Sequence, residues 1–149
     1  MKGGKARAPA LWGDLPQGAT VVVDSAPLIY LLDEHPQFAA QFVGLFEAAE
    51  VGDVHIVIST ITLAEVLTGP YKAGQTLLAK RYEQALLNYK VIPVSASIAA
   101  LAAQLRARYR LKLPDAMQLA TAIDVRASAF VTHDADFSGV EGLRILTGE

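Results

Sequence analysis

The sequence predicts an α/β domain, a parallel sheet covered by helices on both faces. Three observations predict it. Short apolar or β-branched runs recur along the chain: TVVVD at 20–24, VHIVI at 54–58, VIPV at 91–94, AFVT at 129–132 and LRIL at 143–146. Segments of helical period separate them. The runs are almost continuously apolar, as strands buried on both faces are. Strands alternating with helices imply βαβ units.

The elements follow in order. Residues 1–18 are rich in Gly, Ala and Pro and have no period, so they read as a flexible lead-in, with Trp12 a candidate to dock on the domain. After the first strand a helix runs through LIYLL, and residues 37–50 suit another. From ITLAEVL after the second strand the period is helical until Gly69-Pro70 interrupts it. A long amphipathic helix is expected over 73–89, then the strand VIPV, helices over 96–110 and 114–126, and the last two strands. There is no internal repeat, and residues 19–149 read as one domain, a length that supports a real core.

Composition narrows the chemistry. Hydrophobic residues make up 52% of the 149 and charged residues 19%, a globular balance. There is no cysteine, which excludes disulfides, thiolate catalysis and Cys-based zinc sites. No apolar run approaches the ~20 residues that span a bilayer. Lys2, Lys5 and Arg7 precede no continuous apolar stretch, so the N-terminus makes a poor signal peptide. A cytoplasmic protein with no membrane partner is the expectation. The net charge of −2 does not announce nucleic acid, but Arg106, Arg108, Arg110 and Lys112 form a local basic run that stops just before Asp115.

In open parallel sheets, ligands bind beyond the carboxyl ends of the strands. Four acids fall there. Asp24 closes the first strand, Glu65 lies on the helix after the second, Asp115 opens the helix before AFVT, and Asp134 follows that strand, with Asp136 two residues on. Each has an ordinary structural role available. Pro114-Asp115 suits a first helical turn and the helix dipole. Thr62-x-x-Glu65 has the pattern of a capping box. Asp24 could cap the next helix, and Asp134 and Asp136 lie in a turn, where Asp is common. Taken jointly, four carboxylates in one cleft would repel and raise each other's pKa values. A hard divalent cation, Mg²⁺ or Mn²⁺, removes that conflict and takes oxygen ligands. Such an ion polarises a phosphodiester and activates water. His35 and His55 lie outside the acidic group and read as surface or loop residues, and His133 reads as a solvated turn residue that could touch substrate. Paired-histidine acid–base catalysis would need two imidazoles in the cleft. An aspartyl phosphoacceptor is also disfavoured, because Asp24-Ser25-Ala26-Pro27 carries no second acid and the last strand no matching lysine.

The blocks VVVDSAPLIYLL, ISTITLAEVLTGPY, LPDAMQLATAI and FVTHDADF, in this order, resemble those of PIN-domain nucleases, and within them the VapC-type toxins of type II toxin–antitoxin pairs. The resemblance covers about residues 20 to 147. It implies a three-layer α/β/α sandwich with a five-stranded, mainly parallel sheet, and an endoribonuclease dependent on Mg²⁺ or Mn²⁺. Its acidic quartet falls on Asp24, Glu65, Asp115 and Asp134, with Asp136 a less regular ligand position. Its hydroxyls fall on Ser25 and Thr132. The chain departs at Ala26, where many members carry Asn or Ser, which removes a polar contact near the metal. The implied mechanism has Asp24 and Asp115 as direct ligands, Glu65 and Asp134 completing the cluster, and Arg106 to Lys112 attracting backbone phosphate. The implied partners are RNA, an antitoxin and a second copy in a homodimer, with the helices around Tyr71 to Tyr89 as candidate surfaces. The alternatives are a PIN nuclease of RNA processing or DNA repair, and an inactive PIN-like binding domain.

Overall fold

The computed structural model describes residues 11–148. Its sheet has five parallel strands: β1 (Ala19–Val23), β2 (Val54–Ser59), β3 (Lys90–Ile92), β4 (Ala129–Val131) and β5 (Arg144–Leu146), in the spatial order β3-β2-β1-β4-β5. The chain fills one side of β1 first and then crosses to the other. In register, Val22 lies opposite Val57 of β2 and Phe130 of β4. All pairings are parallel, so every strand ends at the same edge.

The pleat divides the core. Val21 and Val23 face one side with Ile56, Ile58 and Val131. There they meet Leu28 of α1 (Ser25–Leu32), Leu45 of α2 (Val43–Glu50), Val66 of α3 (Thr60–Lys72) and Leu86 of α4 (Thr76–Leu86). Val22, Val57 and Phe130 face the other side. Their partners are Ile98 and Ala102 of α5 (Ala96–Tyr109) and Ala116, Leu119 and Ala120 of α6 (Leu113–Asp124). Successive side chains on a strand point to opposite faces, so a sheet buried twice must be apolar throughout. The three-layer expectation holds.

Several local expectations are corrected. Residues 1–10 of the expected lead-in lie outside the described residues, whereas Leu11–Asp14 form a 3₁₀ turn and Trp12 and Leu15 are buried in the core. The helix expected over 37–50 is broken into a 3₁₀ turn, Ala39–Gln41, and α2, with the fully buried Phe42 between them. Gly69-Pro70 does not interrupt α3, which carries Pro70 in its last turn. A proline there forfeits one backbone hydrogen bond, and its ring is buried. The break comes at Gly74, whose φ of 71° is the left-handed conformation glycine supplies without strain.

Candidate active site

The shared carboxyl edge of the sheet carries an open cleft of about 450 Å³. Asp24, Glu65, Asp115 and Asp134 all line it, together with Ser25, Ala26, Tyr30 and His133. A larger cavity, of about 850 Å³, lies at the opposite pole among Thr20, Val54, His55 and Lys90, and its one carboxylate is Glu50. The acid chemistry is therefore concentrated at the smaller cleft.

Asp24 follows β1 and is the N-cap of α1. Its Oδ1 accepts from the Ser25 backbone N–H at 2.7 Å, and its Oδ2 from the Thr132 hydroxyl at 2.7 Å. The Thr132 hydroxyl oxygen accepts in turn from the Asp134 N–H at 3.0 Å, which ties the ends of β1 and β4 together. Burial raises the Asp24 pKa most, against the two donated hydrogen bonds, and Glu65 and Asp134 raise it further.

Glu65 is not half of a capping box. Ser59 is the N-cap of α3, its hydroxyl accepting from the Ile61 N–H at 3.1 Å, and Thr62 is a buried interior residue. The Glu65 Oε1 accepts from the Ser25 hydroxyl at 2.6 Å and from the Gln118 amide at 2.8 Å. Gln118 Nε2 also reaches the Ser25 hydroxyl at 3.4 Å. Gln118 is fully buried, and its Oε1 has no partner. Sequence reasoning missed it. The available signal was a polar residue three positions after Asp115, hence on the same face of an apolar helix.

Asp115 stands in the first turn of α6, as expected, behind the N-cap Lys112, which gives no side-chain cap. Its pKa is pushed up to about 6 by burial first, then by Asp24, Asp134 and Glu65, with Lys112 opposing. Asp134 caps a 3₁₀ turn, Ala135–Phe137, accepting from the Asp136 N–H at 2.9 Å. Asp136 itself is exposed and does not line the cleft. Arg106, Arg108, Arg110 and Lys112 also lie outside its lining. Arg108 is ion-paired with Glu141 at 3.0 Å, and Arg106 donates to the Leu111 carbonyl.

His133 is not a solvated turn residue. It lies 2.8 Å from the Tyr30 hydroxyl through Nδ1 and packs against the rings of Phe38 and Phe42. His35 joins the same aromatic group, stacked on Phe38 at 4.7 Å, whereas His55 is exposed on β2.

Among the described residues no three acidic or imidazole side chains converge into a ready-made metal cage. The donor set still fits a hard cation. Mg²⁺ keeps several waters and takes only one or two carboxylates directly. Burial first, and neighbouring acids next, raise the pKa values of Asp24 and Asp115 in one cleft, and a bound cation would relieve both costs.

Residues 21–143 match the family model of the PIN domain. The chain belongs to the PIN-domain family. Solved structures agree. This PIN domain is 33% identical to a chain of a toxin–antitoxin complex from Klebsiella pneumoniae, over 85% of this chain and 96% of that one, with a TM-score of 0.67. It shares its fold with VapBC2 of Rickettsia felis, solved bound to a promoter DNA fragment, at 20% identity and a TM-score of 0.71, over 87% and 99%. It does so too with VapC20 of Mycobacterium tuberculosis, a sarcin-ricin loop cleaving toxin, at 18% identity and 0.68, over 83% and 98%. Comparison with curated protein sequences finds no match.

Proposed function

We propose that this PIN domain is an endoribonuclease dependent on Mg²⁺ or Mn²⁺, and the toxic member of a type II toxin–antitoxin pair acting in the cytoplasm. The observation that carries the reading is the convergence of Asp24, Glu65, Asp115 and Asp134, from four separate elements, on one cleft. Asp24 and Asp115 would hold the ion directly, with Glu65 and Asp134 joining directly or through water. When bound, the ion polarises the scissile phosphodiester and lowers the pKa of water.

The chain's own residues prepare that site. Thr132 and the Ser25 N–H fix the Asp24 carboxylate with one bond to each oxygen. Ser25 and Gln118 hold Glu65 through Oε1 alone, so its other oxygen is available to take a proton from attacking water. In-line attack then leaves a 5′-phosphate and a 3′-hydroxyl. Arg106, Arg110 and Lys112 are exposed near the end of α5 and the start of α6 and attract phosphate at longer range. Asp136 is exposed outside the cleft lining, so the reading gives it no direct part in holding the ion.

The toxin assignment is supported by the 33% identical toxin–antitoxin relative. Exposed Tyr71 and Leu77 on α3 and α4 offer apolar surface to an antitoxin or to a second copy in a homodimer. No helix among the described residues is long and apolar enough to cross a membrane. Labelled RNA incubated with the purified protein tests the reading: Mn²⁺ or Mg²⁺ should give cleavage that Asp115→Asn abolishes. Expression should arrest growth, and Asp24→Asn should relieve the arrest. Failure of metal-dependent cleavage would sink the nuclease; cleavage without growth arrest would remove the toxin role alone.

A further inference from the structure

The cleft has a second chemistry beside its acids. Tyr30 and His133 line it, and both are only half-buried. Their ring centroids are 5.3 Å apart in an edge-to-face pair, and Tyr30 Oη lies 2.8 Å from His133 Nδ1. Behind them Phe38 sits 4.7 Å from His133 and 5.1 Å from Tyr30. Fully buried Phe42 closes the group at 5.7 Å from His133. The rings hold one another, so the wall is rigid.

Four carboxylates and an ion need oxygen and water around them, not aromatic faces. Leaving ring surface open beside a charged cleft forgoes its burial, which is favourable elsewhere in the core. A nucleotide satisfies both halves of such a cleft, since it joins an anionic phosphate to an apolar π-face. Unpaired bases are recognised by stacking on aromatic and imidazole rings.

We infer that Tyr30 and His133 form a base-stacking subsite that takes one unpaired nucleobase of single-stranded or looped RNA while the phosphate lies at the carboxylates. The inference rests on the nuclease reading and adds a substrate preference to it. The metal site alone would accept any phosphodiester. A base reaches these rings by leaving its stack, so a fully paired duplex should bind more weakly. The Tyr30–His133 hydrogen bond orients the imidazole rather than reacting.

The test uses the full chain silenced by Glu65→Gln, which leaves Asp24 and Asp115 to hold the ion, in Mn²⁺, with single-stranded RNA oligonucleotides carrying 2-aminopurine at successive positions. One position should be quenched on binding, and the same RNA annealed to its complement should bind at least tenfold more weakly. His133→Leu should lose the quench and weaken single-strand binding about tenfold. His133→Phe, which keeps an aromatic face, should restore it. Tyr30 packs into the core, so Tyr30→Phe is compared with Tyr30→Leu by circular dichroism before binding is read; only the leucine variant should lose the quench. RNA bound without quench at any position, or bound equally by His133→Leu, overturns the subsite and leaves the nuclease standing. No RNA binding at all overturns both.

Discussion

Asp115 pays for its burial beside three other acids of the cleft. Its carboxyl titrates at about 6 in the folded chain against an ordinary 3.8. Below pH 3.8 the proton is present in both folded and unfolded states, and its contribution to stability is fully present. As pH rises through 6 that contribution is lost, because the unfolded chain ionises without the penalty. Asp115→Asn should therefore melt increasingly above the parent as pH rises from 4 to 7 in metal-free buffer, read by thermal unfolding. An unchanged difference across that range would contradict the raised pKa that burial and the neighbouring acids give Asp115. Gln118 makes the opposite trade. Gln118→Leu removes a buried oxygen that has no partner and a donor that Glu65 uses. Stability should hold or rise, while Mn²⁺ affinity, measured by calorimetry, should fall by roughly 10–100-fold. The acids were legible in the sequence because strand ends announce themselves. Gln118 and Tyr30 were not, because their partners lie 53 and 103 residues away. His133 was misread because a turn position says nothing about three rings arriving from elsewhere.

At the scale of elements, caps and breaks decide which side chains are free for the cleft. Ser59 takes the cap of α3, so Glu65 belongs to Ser25 and Gln118. The sequence suggested a cap at Thr62, and the end of β2 at Ser59 places it three residues earlier. Proline in the last turn of α3 likewise escaped a local rule that holds for helix interiors. The fastening of α4 was also invisible in the sequence. The Tyr82 hydroxyl donates to the Asp33 carboxylate and lies 3.1 Å from the Leu32 carbonyl, pinning α4 to the end of α1. Burial, then the bond to Asp33, pushes its pKa up to about 12. Tyr82→Phe should cost about 1 kcal/mol by urea unfolding, since Asp33 is exposed and can turn to water. It should leave RNA cleavage intact, because this fastening lies outside the cleft lining.

The whole molecule adds what no segment contains, namely strand order. Five apolar runs with helices between them predict a parallel sheet, yet they allow many orders. The observed order puts β1 in the centre and brings Asp24 beside the end of β4, with Thr132 bridging. Helix boundaries were legible only to within a few residues, because packing settles where each helix starts and stops. If the cleft is a metal site, the fold should respond as a unit. Mn²⁺ at about 100 times its Kd should stabilise the domain by roughly 2.7 kcal/mol, a shift of several degrees in Tm. Asp24→Asn should abolish that shift, and absence of a shift in the parent would argue for a degenerate site.

The bond between Thr132 and Asp24 spans 108 residues. Ribosomes deliver a chain from its N-terminus at about 5–20 residues per second. Asp24, Glu65 and Asp115 therefore emerge before the threonine that fixes Asp24 and before Asp134. During that interval the chain holds three of its four acids, and the first lacks its bond from Thr132. A cleft wired this way gains its full set of acids only when the last strands are made.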